Sequence, residues 1–429
     1  MTDLRKGEAT QRPVEGTTSA TLAPPTQSPI LSSPMRSIER HFALLGYAIV
    51  CLVVGAALLE FASWAIWSVQ IGSVHPSVEQ ATWLIQKTSP VYEGADWAKE
   101  FWQDEFLRNQ ALHVYVPFRL WSVTNWHGKY TNNDAGPRGV WRRTLNPSNC
   151  DPIHALSVWT FGGSTMWGYG VPDWATIPSY LSRELNGSSQ NCVVVSNFGV
   201  EGYVNDQELL ALQEQLKVGA HPDIVVFYDG VNDSALAWNP AGPPPAHFLF
   251  QTIKSRVEGS VSGRLDFLKT SYTMHLAREI LSKIRPRRSF AALISRSQPN
   301  VALVLDNYEA NLRIARALSN AYQFKLYCFW QPILFYGHKP FVPFEQHIAE
   351  VDTNGMSVAS AWLPVARAVY EQAERRAAVD GNFIFLGNLF DSTKDTIYID
   401  EMHIGPEGNE LAAKAIASCV RNSVTPGKR

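Results

Sequence analysis

No surplus of charge marks this chain: among its 429 residues, 37 Lys and Arg stand against 39 Asp and Glu, a formal net charge of −2. A surface without a field of one sign offers no electrostatic footprint for a polyanion, which excludes nucleic acid as the expected partner. Internal repeats are absent. Aromatic residues are missing from residues 1–35, where Thr, Ser and Pro dominate. Such a segment cannot bury enough apolar surface to offset the entropy of ordering it, so 1–40 reads as a disordered tail.

Beyond the tail the composition reverses. Residues 42–59, FALLGYAIVCLVVGAALL, carry no charge, and after Glu60 the apolar character continues through Phe61, Trp64, Ile66 and Trp67. A buried soluble helix is seldom apolar on every face over this length, and a cleavable signal peptide does not carry about 40 polar residues ahead of it. The stretch 41–69 is therefore expected to be a transmembrane helix, meeting the bilayer through 42–67, with Glu60 at its edge and the tryptophans at the far interface. Arg36 and Arg40 precede the run, whereas no Lys or Arg comes after it before Lys87. By the positive-inside rule the tail stays cytoplasmic, and everything after about residue 69 is periplasmic or extracellular.

Five cysteines fit that placement. Cys51 lies in the span. Cys150 and Cys192 each precede a predicted strand; if the strands are adjacent and parallel the two meet as a disulfide, the alternative being two packed thiols. Cys328, inside the apolar run LYCFW, reads as core filler. Residues 70–154 look irregular and aromatic-rich, with Trp83, Trp97, Trp102, Trp121, Trp126 and Trp141. They are expected to pack on the main domain, a sugar-stacking surface being the alternative.

From 155 to 429 short apolar runs alternate with amphipathic segments. Candidate strands fall at 158–162, 192–197, 223–228, 325–330 and 383–387, and candidate helices at 175–186, 204–217, 303–322, 357–379 and 406–422. Continuous Val/Ile/Phe-rich strands separated by helices indicate the α/β class, a three-layer α/β/α sandwich with a central parallel sheet. The rhythm breaks at 234–300, an insertion with the stretch NPAGPPPAH and a basic cluster of Lys283, Arg285, Arg287 and Arg288. It reads as a helical decoration or a lid.

Ligands of parallel sheets gather at the carboxyl ends of the strands. The first predicted strand runs into Gly162-Gly163-Ser164-Thr165, where two glycines permit a sharp turn that exposes the hydroxyl. The second ends at Asn197-Phe198-Gly199 and the third at Asp229-Gly230-Val231-Asn232-Asp233, and donors from neighbouring strand ends can converge on one oxyanion. Late in the chain Asp400 precedes His403 by three residues in a loop, a spacing that lets a carboxylate hold one imidazole nitrogen and leave the other as a base. No neighbouring His/Cys cluster completes a metal site.

These four segments, in this order, resemble the SGNH (GDSL-type) hydrolases over roughly 155–233 and 300–422. The resemblance implies a flavodoxin-like fold, with Ser164 as nucleophile, His403 as general base and Asp400 as its orienter. It further implies an oxyanion hole of the Ser164 and Gly199 amides and the Asn232 side chain, and it requires no cofactor. Asn197 and Gln331, the latter in Phe329-Trp330-Gln331-Pro332, are weaker candidates for contact with substrate. One departure stands out: the family's usual Asp before the nucleophile is Gly163 here. The expected activity is esterase action, through an acyl-enzyme, on acylated glycans, lipids or small esters, including O-acetyl esters at the cell surface. The alternatives are an O-acyltransferase with the same triad and a non-catalytic glycan-binding scaffold.

Overall fold

A computed structural model describes residues 34–71, 86–110, 113–136, 139–151, 154–188, 192–237, 247–258, 271–274, 276–277, 290–353, 359–381 and 383–424. Trp83, the basic cluster at 283–288 and most of NPAGPPPAH lie outside them. The chain divides into two units, Met1–Ala62 and Ser63–Arg429.

Pro34–Ile71 is one helix of 38 residues, α1. Within it Ile38–Ile66, 29 residues with an 18-residue stretch of mean hydropathy 2.6, is long and apolar enough to cross a membrane. At 1.5 Å per residue those residues reach about 44 Å, more than the roughly 30 Å of a hydrocarbon core.

In the second unit a five-stranded parallel sheet is built from β6 (Leu156–Gly162), β7 (Val193–Asn197), β8 (Ile224–Asp229), β9 (Lys325–Trp330) and β10 (Ile384–Phe385), in the order β10-β9-β8-β6-β7. Every residue of β8 is buried, as a strand covered on both faces requires. Val225 and Phe227 face one apolar core with Trp159, Phe161, Cys328 and Trp330. Helices α5 (Asn205–Lys217), α8 (Phe290–Tyr322) and α10 (Ala359–Asp380) cover that face. Ile224, Val226 and Tyr228 face the other core, beneath α4 (Ile177–Ser188) and α11 (Pro406–Val424). The result is the expected α/β/α sandwich. Cys328 is core, and burial pushes its thiol well up from the ordinary value.

Two expectations need correction. The helix expected at 303–322 begins at Phe290 and runs through Pro299, so it takes in the end of the supposed insertion. Buried Val301, Val304 and Leu305 anchor this stretch and offset what a proline costs inside a helix. The segment before the sheet is also far from irregular. It holds α2 (Ala98–Gln110), the antiparallel pair β1 (Val114–Val116) and β2 (Leu120–Ser122), and a second small sheet of β3 (Trp126–His127), β4 (Asn132–Gly136) and β5 (Gly139–Arg142). Trp121 and Trp141 join the core of the main sheet, and Trp102 packs with Tyr92, Phe101, Tyr130 and Ile399. Cys150 and Cys192 are joined in a disulfide, with Cα atoms 5.5 Å apart.

Candidate active site

The strand order changes direction between β6 and β8, both of which lie beside each other in the sheet while their connections leave on opposite sides. Such a point opens a crevice beyond the strand ends. β6 delivers Ser164 there, on the short helix α3 (Ser164–Trp167). β8 delivers Asn232, on helix α6 (Val231–Ala237). As the first residue of its helix, Ser164 presents an amide that no carbonyl of that helix can reach.

The loop carrying Asp400 and His403 is folded back on itself. Ile399 N–H donates to the His403 carbonyl (2.9 Å), Gly405 N–H to that of Ile397 (2.8 Å), and Tyr398 bridges to Ile404. Buried Glu345 accepts the amides of Ile397 (3.0 Å) and Tyr398 (3.2 Å) and is itself paired with Lys339 (2.6 Å). So held, the loop brings residues 239 positions apart into contact: Ser164 Oγ lies 2.7 Å from His403 Nε2. His403 Nδ1 lies 2.6 Å from Asp400 Oδ2, while Asp400 Oδ1 accepts the amides of Met402 (2.9 Å) and His403 (2.7 Å). Burial alone would raise the Asp400 carboxyl. The charge and hydrogen bond of His403, with the two amides, outweigh burial and hold it below its ordinary value.

Asn232 sits beside the Ser164 turn, one N–H donated to the Tyr203 carbonyl at 2.7 Å. A Cβ at Gly163 would collide with Asn232 Nδ2, so a side chain there must push that amide aside. Gly163→Asp is therefore expected to displace Asn232 and cost about 1–3 kcal/mol of stability, as overpacking does. A urea titration reads the loss, and an unchanged midpoint would contradict it.

The loop that carries Asn232 rests on a buried acidic network. Asp229 Oδ2 accepts from Asn205 Nδ2 (3.0 Å) and Tyr308 OH (3.1 Å), and Asn205 N–H donates to Asp233 Oδ1 (3.2 Å). Burial pushes the Asp229 carboxyl up to about 6, and burial together with the charge of Asp229 raises Glu208 well above its ordinary value.

Three residues expected at the site are spent elsewhere. The Gly199 amide, expected to face an oxyanion, donates to Asn197 Oδ1 at 2.9 Å; glycine is required there because a Cβ would lie 2.6 Å from the Trp167 nitrogen. Both donor hydrogens of Asn197 are taken by the carbonyls of Met166 (3.1 Å) and Trp167 (3.2 Å), which makes it a staple between the β7 end and α3 rather than a substrate contact. Gln331, 1% exposed, donates to Thr165 Oγ1 at 3.3 Å and ties the end of β9 to the same helix.

Other neighbours gave no sequence signal. Tyr169 lays its ring on His403, centroids 4.4 Å apart. Burial, with Asp400, Glu105 and Glu201, pushes its phenol well up against the opposing effect of Arg108, so it remains a neutral donor. Trp167, fully buried, is sandwiched between the guanidinium groups of Arg108 and Arg142, each 4.3 Å from a ring centroid. Arg108 reaches Glu105 and Glu201. Although burial opposes it, the charge of Arg108 together with His113 lowers the Glu201 carboxyl to about 2. Among the described residues, no group of three or more His, Cys, Asp or Glu side chains is arranged to hold a metal ion.

No protein-family model matches the chain. No curated protein matches it either. Among solved structures it is similar to a lipase/acylhydrolase from Enterococcus faecalis, at 14% identity and a TM-score of 0.34, over 64% of this chain and 100% of that one. It is similar to a member of the lipolytic protein G-D-S-L family from Veillonella parvula DSM 2008, at 14% identity and a TM-score of 0.29, over 62% of this chain and 99% of that one. An acetylxylan esterase from Geobacillus stearothermophilus is similar at 14% identity and a TM-score of 0.30, over 64% of this chain and 96% of that one.

Proposed function

We propose that the chain is a membrane-anchored serine esterase of the SGNH type, its tail cytoplasmic and its sheet domain outside. One observation carries the reading: a hydroxyl, an imidazole and a carboxylate stand in hydrogen-bonded series, 2.7 Å and 2.6 Å apart, at the point where the strand order reverses. This is the geometry that activates a nucleophile.

In this reading Ser164 Oγ attacks the ester carbonyl as His403 Nε2 takes its proton. Asp400 holds the imidazole by Nδ1 and stabilises the imidazolium. The oxyanion is met by the Ser164 amide and by the second N–H of Asn232, with Gly199 taking no part. His403 then returns the proton to the departing alkoxide. Water, deprotonated by the same nitrogen, attacks the acyl-enzyme and releases the acid. The site opens on the exported side, which favours acyl groups of surface glycans or lipids as substrates. Incubation with O-acetylated oligosaccharides should release free acetate, with no acetyl appearing on an unacetylated acceptor; net transfer to that acceptor would overturn hydrolysis.

Removing one oxyanion donor lowers turnover by about 10²- to 10³-fold, and that is the expected effect of Asn232→Ala on kcat. A variant with unaltered kcat would show that Asn232 only supports the Tyr203 carbonyl.

A further inference from the structure

Gln86 lies in the segment that comes after the apolar helix along the chain, 314 residues from Asp400. Its Nε2 donates to Asp400 Oδ2 at 2.6 Å, the same oxygen that faces His403 Nδ1. Its Oε1 accepts from Tyr169 OH at 2.8 Å. An ionised carboxylate can only accept, so the amide must turn its NH₂ to Asp400, and the phenol must then donate to the oxygen left over. The orientation of the carboxamide is fixed from both ends. Because Tyr169 also lies on the imidazole, the four side chains close a ring: Asp400 to His403, His403 against Tyr169, Tyr169 to Gln86, Gln86 to Asp400. Gln86 is 3% exposed, so water does not compete freely for its place.

We propose that Gln86 is a positioning residue for the Asp400–His403 pair, and that the stretch beginning at Gln86, ahead of the sheet, thereby completes the catalytic centre. The inference rests on the esterase reading for its kinetic consequence but not for its geometry. With the carboxamide present, part of the negative charge on Oδ2 is engaged by a neutral donor. Without it, the carboxylate holds the imidazolium proton more firmly, so the neutral base is reached only at higher pH. The other groups that face this ring are Tyr92, Glu105, Arg108 and Glu201, and the amides of Met402 and His403.

The test compares the full-length protein in detergent micelles with Gln86→Ala, Gln86→Glu and Tyr169→Phe. Two quantities are read: the rate of fluorophosphonate labelling against pH, and the downfield proton resonance of His403 Nδ1. Loss of one hydrogen bond to a charged group is worth about 10- to 100-fold in rate, and Gln86→Ala should slow labelling by that factor near neutral pH. Its acidic limb should move to higher pH, and the resonance should shift. Gln86→Glu, similar in size but adding a second negative charge, should move the limb further. Tyr169→Phe, which keeps the ring and removes the clamp, should move it less. Wild-type rates, limbs and resonance in the Gln86 variants would overturn the proposal. So would a slower rate with limb and resonance unmoved, which is what a merely structural role produces. Should the wild type resist labelling, the esterase reading falls, while a resonance shifted in Gln86→Ala would still support the positioning role.

Discussion

Replacing Ser164 with alanine is expected to abolish fluorophosphonate labelling and to lower ester turnover by about 10⁶-fold, the scale on which a serine nucleophile of this type contributes. The fold should be untouched, because the side-chain hydrogen bond of Ser164 among the described residues runs to His403. His403→Ala should cost about as much, and the double variant little more, since the two act as one unit and their effects do not add. Asp400→Ala should be milder, nearer 10⁴-fold, because the imidazole loses its orienter but keeps its nitrogen beside the hydroxyl. About 10³- to 10⁴-fold of catalysis over water should survive in each case from the oxyanion donors and binding. Retained labelling in Ser164→Ala would move the nucleophile elsewhere and remove the basis of the esterase reading.

Arg142→Ala is expected to be the most destabilising single change at the site, by about 3–5 kcal/mol, because it strands a buried charge. Arg142, its side chain fully buried, donates to Asp173 Oδ1 at 2.8 Å and to the Val171 carbonyl at 2.9 Å while covering one face of Trp167. Without it Asp173 keeps only the amide (3.1 Å) and carboxamide (2.7 Å) of Asn132. Equilibrium unfolding in urea should show the lower midpoint. Adding Asp173→Asn should recover part of the loss by removing the stranded charge, and a double variant no better than the single would mean that lost packing on Trp167 dominates instead.

The sheet was readable because β8 is buried throughout and β6 and β9 are buried over their carboxyl-terminal halves, so all three appear as largely apolar runs. The small sheets ahead of it were not, since strands of two to five residues are too short for alternation to show. At the site, Ser164, Asp400 and His403 stand out because their chemistry depends on residue type at strand ends and on a spacing of three. Which donors are free is another matter. Gly199 sits at a strand end as an oxyanion donor would, yet its amide was already committed to Asn197 two residues away, and nothing in the order of residues distinguishes a spent donor from an available one. Gln86, Tyr169 and Arg108 left no trace for a related reason. Each acts through a contact with residues distant in the chain, and a glutamine in an aromatic-rich stretch has no periodicity or motif to betray it.

The sandwich of Trp167 between two guanidinium groups has a bearing on where the chain can be cut ahead of the sheet. Arg108 and Arg142 both precede the sheet, whereas Trp167 lies one turn beyond the nucleophile. A fragment cut at residue 155, where the alternating pattern starts, would leave both faces of a large indole bare and its helix unsupported. A fragment that keeps both guanidinium groups on Trp167 therefore has to begin at or before Arg108, so the stretch from there to the sheet belongs to the same packed body and is not a tether that can be shortened at will.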